Sequence, residues 1–442
     1  MNDNITAATE EERLLFAPIR TVGELLESGA VSPVELTEAA LRRIERLDSR
    51  LHAFATVAGE QALAAARAAA DRIAGGRRRG PLDGIVVAVK DCAAVLDLPL
   101  EAGSAVLRGN IARQDAATVT ALKSAGAIII GKTTLDEFTL TTVGPARNPL
   151  DEELTAGGSS GGSAVAVRAG LCSAALGTDT GGSVRIPAEC CGITGLKPTH
   201  GLLPTEGIIP LAPSLDHPGV LARTLADTAL VLEALLPARP AGLDGTVTGG
   251  ECRYRIGVPA GLDCAPAAWE AFGAAVEYAR GRGAEVSTVQ LPDLEQLGKA
   301  HWTILSSELA GYHLRRFGAA ENRYQQPMRD AITAGSEVSV PDYLAAQEQR
   351  GRLREQVNGL LDGVDLLAMP TLTCAVPRRD APEDPTAAMV ALTSLFNHTG
   401  HPALSVPPAT AAADRPAGIQ LVGRHFTERA LLTAASTFAQ LL

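Results

Sequence analysis

Two glycine-flanked serine runs constrain this chain more than any other feature: Gly157-Gly158-Ser159-Ser160-Gly161-Gly162-Ser163 and Gly177-Thr178-Asp179-Thr180-Gly181-Gly182-Ser183. Glycines around a serine let the backbone turn sharply and let main-chain N–H groups face a reacting oxygen. Upstream, Lys90 closes the apolar run Val86-Val87-Ala88-Val89, which places it at the carboxyl end of a buried strand. Open α/β sheets carry their active-site crevice there. A lysine so placed loses solvation, its ammonium is disfavoured, and its pKa falls. Once neutral, it can act as a general base without histidine. No S-x-x-K occurs in the chain, so this base must reach its nucleophile from a distant part of the sequence. Ser159 is the natural intermediary.

The flanking sequence alternates helix and strand. Ser32-Pro33-Val34-Glu35 reads as a capping box with proline at the first helical position, and Leu36, Ala40, Leu41, Ile44 and Leu47 follow as one stripe. An Ala-rich helix is expected over 60–73, ending at Gly75-Gly76, and a doubly buried strand over 85–89. Asp115 is expected to cap a helix ending near Gly126, before a strand over 127–130. Helices over 163–168 and 224–236 and a strand over 173–176 complete an α/β rhythm, with helices covering a largely parallel sheet. Residues 237–250 read as loop, 255–258 and 285–291 as strands, and 294–361 as mainly helical. Strands over 365–369, 403–406 and 418–422 and a closing helix over 428–442 follow.

Composition narrows the function classes. A net charge of −11 argues against nonspecific binding to nucleic acid or an anionic membrane, and Arg77-Arg78-Arg79 reads as a solvated helix-end turn. Hydrophobic residues make up 46% but aromatics only 3%, so small side chains must fill the core. The cysteines (92, 172, 190, 191, 252, 264 and 374) lack disulfide or zinc spacing and read as reduced thiols. The polar, acidic start of the chain and the lack of a 20-residue apolar run point to a cytoplasmic protein.

Three pattern matches compete with the lysine–serine reading. Gly126 to Thr133 fits the P-loop expression, but its middle residues, Ala-Ile-Ile-Ile, belong to a strand rather than a phosphate-cradling loop. Gly158-x-Ser160-x-Gly162 fits a nucleophile elbow, yet loop rather than strand precedes it. His200, His217, His398 and His401 lie near strand ends, and none has a spacing that singles it out for a triad.

The two serine runs, with Val184-Arg185-Ile186-Pro187 and Gly195-Leu196-Lys197-Pro198-Thr199, closely resemble the amidase signature family. Ala88-Val89-Lys90-Asp91, Gly131-Lys132-Thr133, Asp136-Glu137-Phe138, Asn148-Pro149, Ser214-Leu215-Asp216-His217 and Gly418-Ile419-Gln420-Leu421-Val422-Gly423 extend the resemblance from about Ala30 to the C-terminus. It implies an α/β fold in which a large mixed sheet carries helices on both faces. The chain then forms a single domain: 30–236 hold the catalytic core, 251–364 a mainly helical insertion lining the substrate entrance, and 365–442 return to the sheet.

The resemblance further implies that Ser183 attacks the amide carbonyl, and that Ser159, preceded by a cis peptide bond, bridges it to Lys90. Thr180, Gly181, Gly182 and Ser183 would supply the oxyanion-hole N–H groups, with Asp179 and Arg185 bracing the loop. The substrate would be a small-molecule amide, with no metal or cofactor; homodimers are common in the family. Two departures bear on substrate choice: the short Phe138–Gly144 segment, and Glu189-Cys190 before Cys191 in place of a small residue and phenylalanine. The alternatives are a glutaminase subunit of a tRNA amidotransferase complex, which needs partner proteins, and a non-catalytic member of the family.

Overall fold

The computed structural model describes residues 8–236, 254–318, 323–410 and 417–438. Eleven strands among them form one sheet: β1 (Phe54–Val57), β2 (Val86–Lys90), β3 (Ile128–Thr133), β4 (Ala174–Asp179), β5 (Thr194–Lys197), β6 (His217–Ala222), β7 (Arg255–Pro259), β8 (Glu285–Val289), β9 (Leu366–Pro370), β10 (Ala403–Val406) and β11 (Ile419–Val422). Their order across the sheet is β1-β3-β2-β4-β6-β5-β10-β11-β9-β7-β8. Every residue of β2 to β6 and of β9 to β11 is buried, which requires helices on both faces. The fold is α/β around a large mixed sheet.

The largely parallel sheet expected from the alternation holds at two places, β3-β2-β4 and β9-β7-β8. Between them, pairing is antiparallel from β4 through β6, β5, β10 and β11 to β9. The cause is β6, which inserts between β4 and β5. It carries Pro218 and Gly219 in its interior, two residues that ordinarily argue against a strand. The four-residue strands β1 and β5 were also not expected. The strands of 255–289 extend the central sheet, so only the helices Leu294–Phe317, Gln326–Glu337 and Val340–Gly363 stand apart as a helical layer.

Local signals act as chemistry requires. Ser32 accepts from the Glu35 N–H while the Glu35 carboxylate accepts from the Ser32 N–H, closing the capping box of helix Pro33–Leu51. Asp115 caps nothing: its carboxylate accepts from Leu96 N–H and pairs with Lys123, and the helix starts at Ala117 without a side-chain cap. The closing helix runs Glu428–Ala435, while the loop expected over 237–250 and Cys252 lie outside the described residues. The P-loop match is strand β3 from Ile128 onward.

Strand β3 contains one irregularity that places two lysines. Val87 pairs with Ile129, but Ala88 pairs with Gly131, leaving Ile130 as an extra residue. Beyond it, Val89 stands beside Lys132 and Lys90 beside Thr133. Lys132 bonds Asp91 at 2.7 Å, with both side chains buried. No described helix is long and apolar enough to cross a membrane.

Candidate active site

The carboxyl ends of β2 and β4 bring the three candidate residues to one place. Lys90 Nζ lies 2.7 Å from Ser159 Oγ and 3.0 Å from Thr178 Oγ1, so the lysine reaches the first serine run across a long stretch of sequence. Asp91 does not pair with Lys90, because Lys132 occupies it. The Lys90 side chain is fully buried, and desolvation lowers its pKa against the pull of Cys92, Asp136, Asp179 and Asp216.

The two serine runs meet through the backbone. Ser160 N–H donates to the Ser183 carbonyl at 3.2 Å, and the Gly158–Ser159 peptide bond is cis. Ser160 is not a free nucleophile: its hydroxyl donates to the Thr178 carbonyl and accepts from the Thr178 N–H. Exposure separates the serines of the relay. Ser159 is 1% exposed and Ser183 is 8%, so Ser183 is the one reachable from outside. The N–H groups of Gly181, Gly182 and Ser183 donate to no described residue, which leaves them available to an incoming oxygen.

A buried network holds this turn. Arg185 grips Asp179 with two bonds of 2.8 and 3.0 Å, and also donates to the Thr393 carbonyl, Gln420 and Asn397. Burial works to raise the Asp179 carboxyl, and the Arg185 guanidinium overrides it, holding the group well below the usual carboxylate range. Asp179 also accepts from the Val184 N–H, just ahead of helix Arg185–Cys191. Thr393 donates to the Gly181 carbonyl at 2.5 Å, and Thr180 donates to Asp216 at 2.6 Å. Gly182 has φ 139°, and any Cβ there would collide with the Thr393 hydroxyl, so this position requires glycine.

The departures noted in the sequence have physical counterparts. The short 138–144 segment packs onto the serine loop, where a Cβ on Gly158 would come 2.9 Å from the Thr142 backbone. It also borders a cavity of about 500 Å³ lined by Asp136, Leu140, Thr141, Val143, Gln325 and Met328. Burial pushes the Asp136 carboxyl up to about 7. Glu189 is buried behind the nucleophile turn, accepts from the Leu372 N–H, and is raised by burial to about 8.

The four weighed histidines are not triad members. His217 bonds the Leu215 carbonyl, His401 bonds Thr399 and Asn358, His398 faces another histidine, and His200 packs edge-on against His217. Sequence reasoning missed Thr178, Thr393, Asn397 and His301. Thr178 had a signal, since it sits one residue before Asp179 at the end of β4 and faces Lys90. The others come from segments whose patterns carry no mark of the site.

A mixed α/β sheet thus carries at its strand ends a buried lysine bonded to a serine, beside a glycine turn whose open N–H donors suit an incoming oxygen. Residues 35–432 match the Amidase family. One subunit of the glutamyl-tRNA(Gln) amidotransferase from Anaeromyxobacter dehalogenans is 37% identical, across 97% of this chain and 96% of its own length. One similar solved structure is a chain of a vestigial protein complex that bears on the origins of an s-triazine catabolic enzyme. It matches with TM-score 0.88 and 32% identity over 96% of this chain and 100% of that one. A bacterial aryl acylamidase of the amidase signature family matches with TM-score 0.86 and 26% identity, covering 96% of each chain. The chain belongs to the amidase signature family, whose chemistry is the hydrolysis of amide bonds.

Proposed function

We propose that the chain hydrolyses a small primary amide to a carboxylate and ammonia through an acyl intermediate on Ser183. The observation that carries this reading is the 2.7 Å contact between Lys90 Nζ and Ser159 Oγ in a fully buried setting. Neutral Lys90 takes the Ser159 proton as Ser159 takes that of Ser183, and Ser183 Oγ adds to the carbonyl carbon. The N–H groups of Thr180, Gly181, Gly182 and Ser183 surround the oxyanion, and loss of one such donor typically costs about 3–4 kcal/mol in the transition state. As the C–N bond breaks, the protonated relay returns a proton to nitrogen and ammonia leaves. Water then attacks the ester along the same route. Asp179 and Arg185 hold the turn rigid and do not touch the substrate. The helical layer of 294–363 borders the entrance, and the chain works in the cytoplasm without metal or cofactor.

Ammonia release by the purified chain, over aliphatic, aromatic and amino-acid amides including glutamine, tests this reading. Release that disappears in Ser183→Ala supports it; release that persists removes Ser183 as the nucleophile. The similarity to one component of an amidotransferase over nearly its whole length favours a second reading, a glutaminase that needs partner subunits. Covalent labelling of Ser183 by a sulfonyl fluoride, with no turnover on any amide until partner subunits are added, would select that one.

A further inference from the structure

The helical layer sends one histidine to the nucleophile turn. His301, in helix Leu294–Phe317, is 8% exposed, and its Nε2 lies 3.0 Å from where a Cβ on Gly181 would stand. Its other ring nitrogen, Nδ1, is 3.0 Å from His398 Nε2, on helix Leu395–Thr399. Two facing ring nitrogens bond only if one carries hydrogen and the other does not.

The surroundings decide which one does. His398 Nδ1 is buried with no partner among the described residues. A buried N–H with no acceptor is the rarer defect, so the bare lone pair falls on His398 Nδ1 and the proton on its Nε2. His398 therefore donates to His301 Nδ1, which fixes the His301 proton on Nε2. That atom bonds no described residue and is not sealed from solvent. Burial holds His301 neutral, lowering it to about 4; burial, His301 and Arg350 do the same to His398. A ring that holds an added proton so weakly is a poor base at neutral pH and serves as a neutral donor. The other side chain close to Gly181 on this side is apolar, Val390, at 3.6 Å.

We propose that His301 is a specificity-determining residue whose Nε2–H binds a second acceptor oxygen, carbonyl or carboxylate, in the acyl part of the substrate, with His398 as the positioning residue that fixes its tautomer. This rests on the Ser183 reading. An ammonia leaving group has no further atom to recognise, so an acceptor held beside Gly181 belongs to the acyl portion. A plain alkyl group there leaves the donor unpaired, which disfavours it.

The test compares malonamide with 3-methylbutanamide, which share one heavy-atom skeleton and differ in the distal group, a carboxamide with its acceptor oxygen in one and an isopropyl group in the other. Wild type should favour malonamide in kcat/KM, and His301→Phe should reduce that preference about tenfold, the size of one lost hydrogen bond. His301→Gln, which returns an N–H near the Nε2 position, should restore most of it, and His398→Leu should lower it in part. Protection of Ser183 from phenylmethylsulfonyl fluoride by malonamide gives the same comparison where turnover is slow. Nitrogen-15 NMR of the His301 ring should show the Nε2–H tautomer. No wild-type preference, an unchanged preference in His301→Phe, or an Nδ1–H tautomer would each overturn the proposal. Should His301→Phe misfold, the His301→Gln preference and the wild-type tautomer decide. Failure of the Ser183 reading looks different: turnover survives Ser183→Ala, or Ser183 takes no label.

Discussion

The glycine turn that carries Ser183 and the helical layer that faces it are built on opposite terms. From Gly177 to Cys191 every residue is buried, and Asp179, Arg185, Thr393, Asn397 and Gln420 fix the backbone by direct bonds. The helices of 294–363 leave Trp302, Leu314, Val340 and Leu344 in the open. The turn gathers Ser183 and its open N–H donors within a few consecutive residues. The helical layer contributes single side chains, such as His301, that reach over it. On the proposed function, chemistry rests on a rigid, local feature and selection on parts that can vary without disturbing it.

Substitutions can break this contrast, and the largest effect belongs to the turn. Ser183→Ala should cost about 10⁴-fold or more in kcat while leaving the melting temperature near wild type, because one hydroxyl is deleted. Lys90→Ala should cost about 10²–10⁴-fold. In wild type, kcat/KM should rise with pH through a base whose pKa lies below the ordinary lysine value, because burial favours its neutral form. That limb should vanish in Lys90→Ala; if only KM rises, Lys90 merely binds substrate. Arg185→Met should destabilise the fold by about 3–5 kcal/mol in denaturant titration, since it strands the buried Asp179 carboxylate.

Glu189→Gln gives a smaller, pH-dependent effect. The folded-state pKa of Glu189 is raised from 4.5 to about 8, so its contribution to stability is full below 4.5 and is lost as pH rises to about 8. The melting temperature of Glu189→Gln relative to wild type should therefore climb between pH 5 and pH 8 and level off above. A flat difference would mean that Glu189 stays charged in the fold. Val340→Ala, at a side chain 71% exposed, should shift stability by no more than about 0.5 kcal/mol and leave kcat as it is. A large effect there would erase the distinction between the two regions.

What the sequence disclosed follows the same division. The candidates Lys90, Ser159 and Ser183 stand out in the sequence because a glycine turn writes its requirement into adjacent residues, and a buried strand writes its own into an apolar run. Strand β6 was not, because Pro218 and Gly219 speak against a strand, and neighbours on both sides override that local preference. Asp115 misled because a carboxylate before a helix serves equally well to bind Lys123. The Arg185 partners Thr393, Asn397 and Gln420 and the His301–His398 contact join residues about 100 to 240 positions apart, and no local periodicity encodes such meetings.

The extra residue in β3 has a consequence for which lysine meets Ser159. A sheet sorts side chains by odd and even, and paired residues share a face. Counted without Ile130 as a spare, Lys132 would stand abreast of Lys90 on the same side, and two ammonium groups would crowd Ser159. The added residue shifts the parity of everything after it. Lys132 goes to the far side to neutralise Asp91, and Lys90 is left alone with the serines. Which lysine meets Ser159 is thus set by a count along the neighbouring strand.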